Sequence, residues 1–184
     1  MKTRVLSVLL GSCAMVLAAS AFAGYADDRA EIENLSNKYM VAVDAGDIKT
    51  VMAMWADDGE LDWVGGVEHG KAAIYKAMSK FTGVLKGEIP EGATSRPRTH
   101  HQIINHVIDV DGNIAHTTAY WFAMTNNTPQ HDVQLLYFGH YEDTLEKVNG
   151  HWLFKLRKVF NESMPNRQLF YPGLGEQDPR QHRP

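Results

Sequence analysis

The sequence predicts an α+β domain in which helices cover one side of a curved antiparallel sheet. Three observations carry this. Apolar residues recur at helical spacing early in the chain, β-rich stretches fill its second half, and Asp-Gly and Asn-Gly pairs separate those stretches as tight turns. The chain has 184 residues, 44% of them hydrophobic and 22% charged, which suits one globular domain with a sizeable core.

Residues 1–23 read as a secretory signal peptide and stand outside this fold. Lys2 and Arg4 form a charged start, an apolar stretch follows from Val5, and Ala21, Phe22 and Ala23 make a small-x-small cleavage site before Gly24. The expected product is periplasmic or secreted. Cys13 sits in a loose lipoprotein box with Leu10, Gly11 and Ser12, but the residues after it stay apolar, which favours the plain signal peptide. Cleavage after Ala23 leaves a mature chain without cysteine, so no internal disulfide framework and no Cys-based zinc site are expected.

In the mature chain the domain is expected over 24–160. A helix is predicted over 27–45, with Ile32, Leu35, Tyr39, Ala42 and Val43 on one face, Asp27 or Asp28 as its cap and Gly46 as its terminator. Asp47 caps a second helix whose apolar face carries Val51, Met52 and Trp55. Asp57, Asp58 and Gly59 read as a turn, 60–64 as a short strand broken by Gly65 and Gly66, and 71–82 as a third helix. Residues 83–97, with three glycines and two prolines, form a long loop of the kind that walls a cavity. Four strands are predicted over 99–110, 113–125, 133–147 and 151–160. Asp111-Gly112, a polar turn at 126–130 and Asn149-Gly150 join them. Residues 161–184, with four prolines, read as a C-terminal tail.

Several chemistries are excluded. The net charge of −4 comes with no basic block, which argues against nucleic-acid binding. The nine histidines are scattered and no HExxH pair occurs, so no metal is expected. No nucleophile elbow or glycine-rich phosphate loop is present, and no cofactor is implied.

The chain from about Asp27 to Phe160 resembles the SnoaL-like branch of the NTF2-like superfamily, as a secreted bacterial member. The pieces that carry the resemblance are Asp44 to Asp47, Trp55 to Gly59, Gly70 to Ile74, Arg98 to His101, Val110 to Gly112, Gly139 to Asp143 and Asn149 to Trp152. None is specific alone; their order and spacing are. The resemblance implies a cone, with a curved sheet wrapped around three helices and a deep pocket. Relatives include scytalone dehydratase, ketosteroid isomerase and lyases that release formaldehyde from lignin-derived dimers.

Against the scytalone dehydratase pattern, His101 follows Arg98, Thr99 and His100, and Asp44 ends the first helix. The resemblance therefore implies that His101 moves a proton and that Asp44 orients it. Trp63 and Val43 stand where that enzyme has tyrosines, and its second pocket histidine falls near Thr117 or Thr118, so this chain is not expected to be that enzyme. Tyr141 falls on a pocket position and is expected to donate to a developing oxyanion. If the strand over 99–110 is regular, Asn105 shares the His101 face and binds a substrate oxygen, while His100 and His106 face the other way. Arg157 is expected to hold a phenolate or carboxylate, or else to form a surface ion pair. Trp63, Thr117, Trp121 and Tyr137 are expected to complete the substrate site.

Together these readings imply a cofactor-independent lyase, dehydratase or isomerase. It would use His-Asp acid–base chemistry on a small, hydroxylated, aromatic class of substrate, with lignin-derived molecules among the options. The alternatives are a non-catalytic periplasmic binding protein, in which His101 and Asp44 lie too far apart to interact, and a structural homodimer module with an outward apolar face over 107–121. Homodimers are expected under every reading, because relatives commonly pair through the sheet. No nucleic-acid or membrane partner is expected after signal cleavage.

Overall fold

The computed structural model describes residues 4–86, 98–130 and 132–163. Helices α1 (Arg4–Ala45), α2 (Ile48–Ala53) and α3 (Lys71–Lys86) accompany a single six-stranded sheet. Its strands are β1 (Trp55–Trp63), β2 (Gly66–His69), β3 (Thr99–Asp111), β4 (Ile114–Thr125), β5 (Gln134–Val148) and β6 (His151–Asn161), in the order β2-β1-β6-β5-β4-β3. The long strands form the predicted antiparallel meander. One joint differs: β1 runs parallel to β6, so the helical half of the chain enters the sheet beside its last strand.

Helix α1 begins at Arg4, not at 27, and runs through the expected cleavage site. Neither Asp27 nor Asp28 is therefore its cap. Asp28 instead accepts a hydrogen bond from the Trp152 indole at 3.0 Å and pairs with Lys147, fastening α1 to the β5–β6 hairpin. Among the described residues, no helix is long and apolar enough to cross a membrane. The predicted stop is where expected. Gly46 has φ +67°, its N–H reaches the Val43 carbonyl, and the Asp47 N–H reaches that of Ala42, which closes the helix with two capping bonds. Asp47 then caps α2 through the Thr50 N–H at 3.1 Å.

The expected turn at Asp57 to Gly59 is instead an irregularity inside β1. The pairing with β6 shifts between Trp55 and Glu60, so the strand continues through the polar residues. Helix α3 extends to Lys86, four residues beyond the prediction, and buries Ile74, Met78 and Thr82 at intervals of four. The rest of the predicted 83–97 loop, and the tail beyond Ser163, lie outside the described residues. Both dipeptide turns form. Asn149 and Gly150 have φ +53° and +83°, the pair of positive angles a type I′ hairpin needs.

The core lies between the helices and the inner sheet face. Trp55, Phe154 and Tyr39 form a buried aromatic cluster with ring centroids 5.3–6.3 Å apart. Each such ring contributes about 1.5–3 kcal/mol by leaving water. Strand β4 alternates cleanly, with Ala115, Thr117, Ala119, Trp121 and Ala123 inward. Strand β3 does not. Its register with β4 shifts between Ile104 and Val107, and Asn105 adopts φ +52°. His101 and Ile103 lie inward before this bulge, and His106 and Ile108 after it. Asn105 is turned outward, onto a groove of about 680 Å³ on the opposite sheet face.

Candidate active site

Three elements bring the site together. The capped end of α1 presents Asp44, β3 presents His101, and α3 covers them with Phe81. Asp44 Oδ2 accepts the His101 backbone N–H at 2.8 Å, and Oδ1 lies 2.6 Å from His101 Nδ1. A carboxylate is an acceptor only, so Nδ1 must carry the proton. Neutral His101 then presents the Nε2 lone pair. Nε2 has no hydrogen-bond partner among the described residues. The two side chains are 10% and 9% exposed. His100 points outward and is well exposed, yet its Nδ1 lies 3.7 Å from Asp44 Oδ2.

Around His101 runs a chain of aromatic contacts. Trp63 meets Phe81 edge-on at 5.4 Å, Phe81 lies 6.3 Å from His101, His101 6.2 Å from Trp121, and Trp121 stacks on Tyr141 at 5.7 Å. Trp63, Phe81, Ile103 and Tyr137 pack on the core but are only partly buried.

Deeper inside, Arg157 and Asp143 form a buried ion pair. The guanidinium lies 4.1–4.5 Å from the ring centroids of Phe154, Tyr141 and Tyr39. Burial alone would lower its pKa, but the Asp143 charge and hydrogen bonds more than reverse this. Thr117 Oγ1 reaches Asp143 Oδ2 at 3.4 Å. Burial holds His106 below its ordinary pKa, with Asp143 opposing and Arg157 assisting that shift.

These positions are compatible with the spacing of motifs along the chain. A family model for the SnoaL-like domain matches residues 24–158. The chain belongs to the SnoaL-like family. Its match begins at the residue after the expected cleavage site. Solved structures share the fold of this SnoaL-like domain at low identity. LinA is 18% identical with a TM-score of 0.62, over 75% of this chain and 88% of that one. A proposed scytalone dehydratase from Novosphingobium aromaticivorans is 22% identical with a TM-score of 0.61, over 74% and 85%. A singly substituted form of Rv3472 from Mycobacterium tuberculosis, of unknown function, is 21% identical with a TM-score of 0.65, over 79% of both chains. No curated protein matches significantly.

Set against the sequence expectations, this SnoaL-like chain brings His101, Asp44, Trp63 and Trp121 together, with Tyr137 at the partly buried margin. Tyr141 is inward, but its hydroxyl points to Met40 Sδ at 3.6 Å. Burial pushes its pKa far above the ordinary phenol value, against the opposing charge of Arg157. Arg157 is neither a surface ion pair nor a free cation, since Asp143 neutralises it. Thr117 sits beside that pair, away from His101. Asn105 is corrected outright: the bulge puts it on the outer face and brings His106 inward in its place. The available signal was Asn105 itself, because asparagine tolerates positive φ better than most residues. Among the described residues, no group of three His, Cys, Asp or Glu side chains is placed to hold a metal.

Proposed function

We propose that this protein is a cofactor-independent lyase, dehydratase or isomerase acting on a small, hydroxylated aromatic molecule. The observation that carries the proposal is the 2.6 Å contact of Asp44 Oδ1 with His101 Nδ1, set between the Phe81 and Trp121 rings. The fold it shares with a proposed scytalone dehydratase supports an elimination.

In this reading His101 Nε2 takes a proton from a substrate carbon, and Asp44 stabilises the resulting imidazolium. In a dehydration the C–H electron pair becomes the new π bond. The C–O bond breaks with its pair on oxygen, and the imidazolium returns the proton to that oxygen as water. Loss of formaldehyde from a lignin-type side chain would use the same base on the primary O–H: the O–H pair becomes the C=O bond of formaldehyde, the C–C bond breaks with its pair on the ring-side carbon, and the imidazolium returns the proton to that carbon. Trp63, Phe81 and Trp121 give the ring apolar walls.

The test is mass-resolved turnover on a panel of hydroxylated aromatics, including lignin-type diol dimers, with wild type and His101→Gln. Loss of 18 or 30 mass units by wild type alone supports the reading. Ligand-dependent melting without any product would favour a binding protein, and equal turnover by both proteins would remove His101 from the mechanism.

Export is part of the same proposal: cleavage after Ala23 would deliver the domain to the periplasm or beyond, which N-terminal sequencing of the exported protein would check. So is pairing of two copies. Ile104, Val107, Tyr120, Met124, Leu135 and Phe138 are exposed on or near the outer sheet face, an apolar surface that favours a partner. Light scattering would report the dimer.

A further inference from the structure

The inward face of β4 holds a donor with nothing to donate to. Trp121 is 5% exposed, and its indole Nε1 is buried without a hydrogen-bond partner among the described residues. A buried, unmet N–H costs about 1–3 kcal/mol, and an indole can donate but never accept. The position of this orphan is specific. Trp121 pairs with Ile103 on β3 and with Gly139 on β5, which makes His101 and Tyr141 its diagonal neighbours on the same face. Gly139 presents no side chain to it from β5. The Tyr141 hydroxyl, the other donor nearby, is already directed at Met40 Sδ.

We propose that Trp121 Nε1 is the group that grips a substrate oxygen beside His101. The ligand class it selects is a compact aromatic molecule bearing a carbonyl or hydroxyl oxygen on or next to the ring. The catalytic consequence rests on the acid–base reading above; the selectivity in binding does not. An indole does not ionise near neutral pH, so Trp121 polarises or positions the oxygen while His101 moves the proton. An oxygen-free analogue of the same shape leaves the indole unmet and binds more weakly, by about tenfold for one neutral hydrogen bond.

The probes are 1-indanone and indane, bicyclic aromatics that differ by one carbonyl oxygen. Binding of each is measured to the wild type, to Trp121→Phe and to His101→Gln, using protein labelled with ¹⁵N at its indoles. The resonance that disappears in Trp121→Phe identifies the Trp121 N–H, and the remaining indole resonances report whether that variant keeps its fold. The wild type is expected to prefer 1-indanone by about tenfold, with the Trp121 resonance moving for that probe alone. Trp121→Phe should bind both probes alike, and His101→Gln should keep the preference. A preference that survives in Trp121→Phe, or a Trp121 resonance unmoved by 1-indanone, would overturn the assignment. A preference kept by His101→Gln, with no turnover by the wild type across the aromatic panel, sinks the acid–base reading and leaves this one standing.

Discussion

Arg157 holds Asp143 with two parallel hydrogen bonds, Nε to Oδ1 at 2.9 Å and Nη2 to Oδ2 at 2.7 Å, and the side chains are 1% and 2% exposed. The pair has no net charge to offer an anionic ligand, although Arg157 Nη1 has no hydrogen-bond partner among the described residues. Its value is structural and asymmetric, because removing one partner strands the other charge in a dry interior. Asp143→Ala is expected to cost about 3–5 kcal/mol, read from urea unfolding. Replacing both residues together, Asp143→Leu with Arg157→Met, should recover most of that loss. A double variant as unstable as the single one would show that packing, not charge, holds this region.

Gly139 makes a sharper demand. A Cβ at this position would lie 1.8 Å from the Phe160 carbonyl oxygen, a contact that backbone cannot yield without moving the β5–β6 junction. The same junction is tied by the Glu162 N–H to the Phe138 carbonyl at 3.0 Å. Gly139→Ala is therefore expected to destabilise by about 3 kcal/mol, the upper end of overpacking penalties. Thermal melting checks this, and an unchanged midpoint would mean that the end of β6 adapts freely.

What the sequence made legible follows from which signals are local. The hairpins at Gly112 and Asn149-Gly150, the stop at Gly46 and the cap at Asp47 each rest on a few adjacent residues, and each lies where the residue types place it. Period-two alternation was readable in β4, which is regular throughout. It failed in β3, where one bulge reverses every face after Ile104 and exchanges Asn105 for His106. It failed again at Asp57 to Gly59, where turn-forming residues sit inside a strand because pairing with β6 overrides local preference. The juxtaposition of Asp44 and His101 came from the family resemblance, since 57 residues separate them and no periodicity links a helix end to a strand. The commitment of Arg157 to Asp143 depends on the β5–β6 register, which composition alone does not reveal.

Asp28 sets an acid limit on the domain. Burial would raise its pKa, but hydrogen bonds from Lys147 and Trp152 outweigh it and hold the carboxyl below its ordinary value of 3.8. Because the folded state releases this proton more readily than the unfolded one, the contribution to stability is complete above about pH 3.8. It is lost as pH falls through the lower, folded value. Asp28→Asn should lower stability near neutrality and flatten this part of the acid profile. Unfolding midpoints measured from about pH 2 to pH 6 would show it. Parallel profiles for the two proteins would mean that other carboxylates set the limit.

Asp44 does two jobs at once, accepting the His101 backbone N–H at 2.8 Å while its other oxygen meets Nδ1 at 2.6 Å. The first fixes where β3 begins relative to α1; the second decides which ring nitrogen carries the proton. Asparagine preserves the shape but can accept through one atom only. If its oxygen keeps the backbone N–H, its amide nitrogen must donate toward Nδ1, which drives the proton to Nε2 and occupies the lone pair a base needs. Asp44→Asn is therefore expected to fold, to shift the His101 ring from the Nδ1–H to the Nε2–H tautomer, and to lower turnover roughly ten-thousandfold. Nitrogen-15 NMR of the histidine side chains reads the tautomer directly, without any substrate. A variant that keeps the Nδ1–H tautomer yet loses turnover would assign Asp44 an electrostatic role instead, and one that keeps both would take Asp44 out of the chemistry.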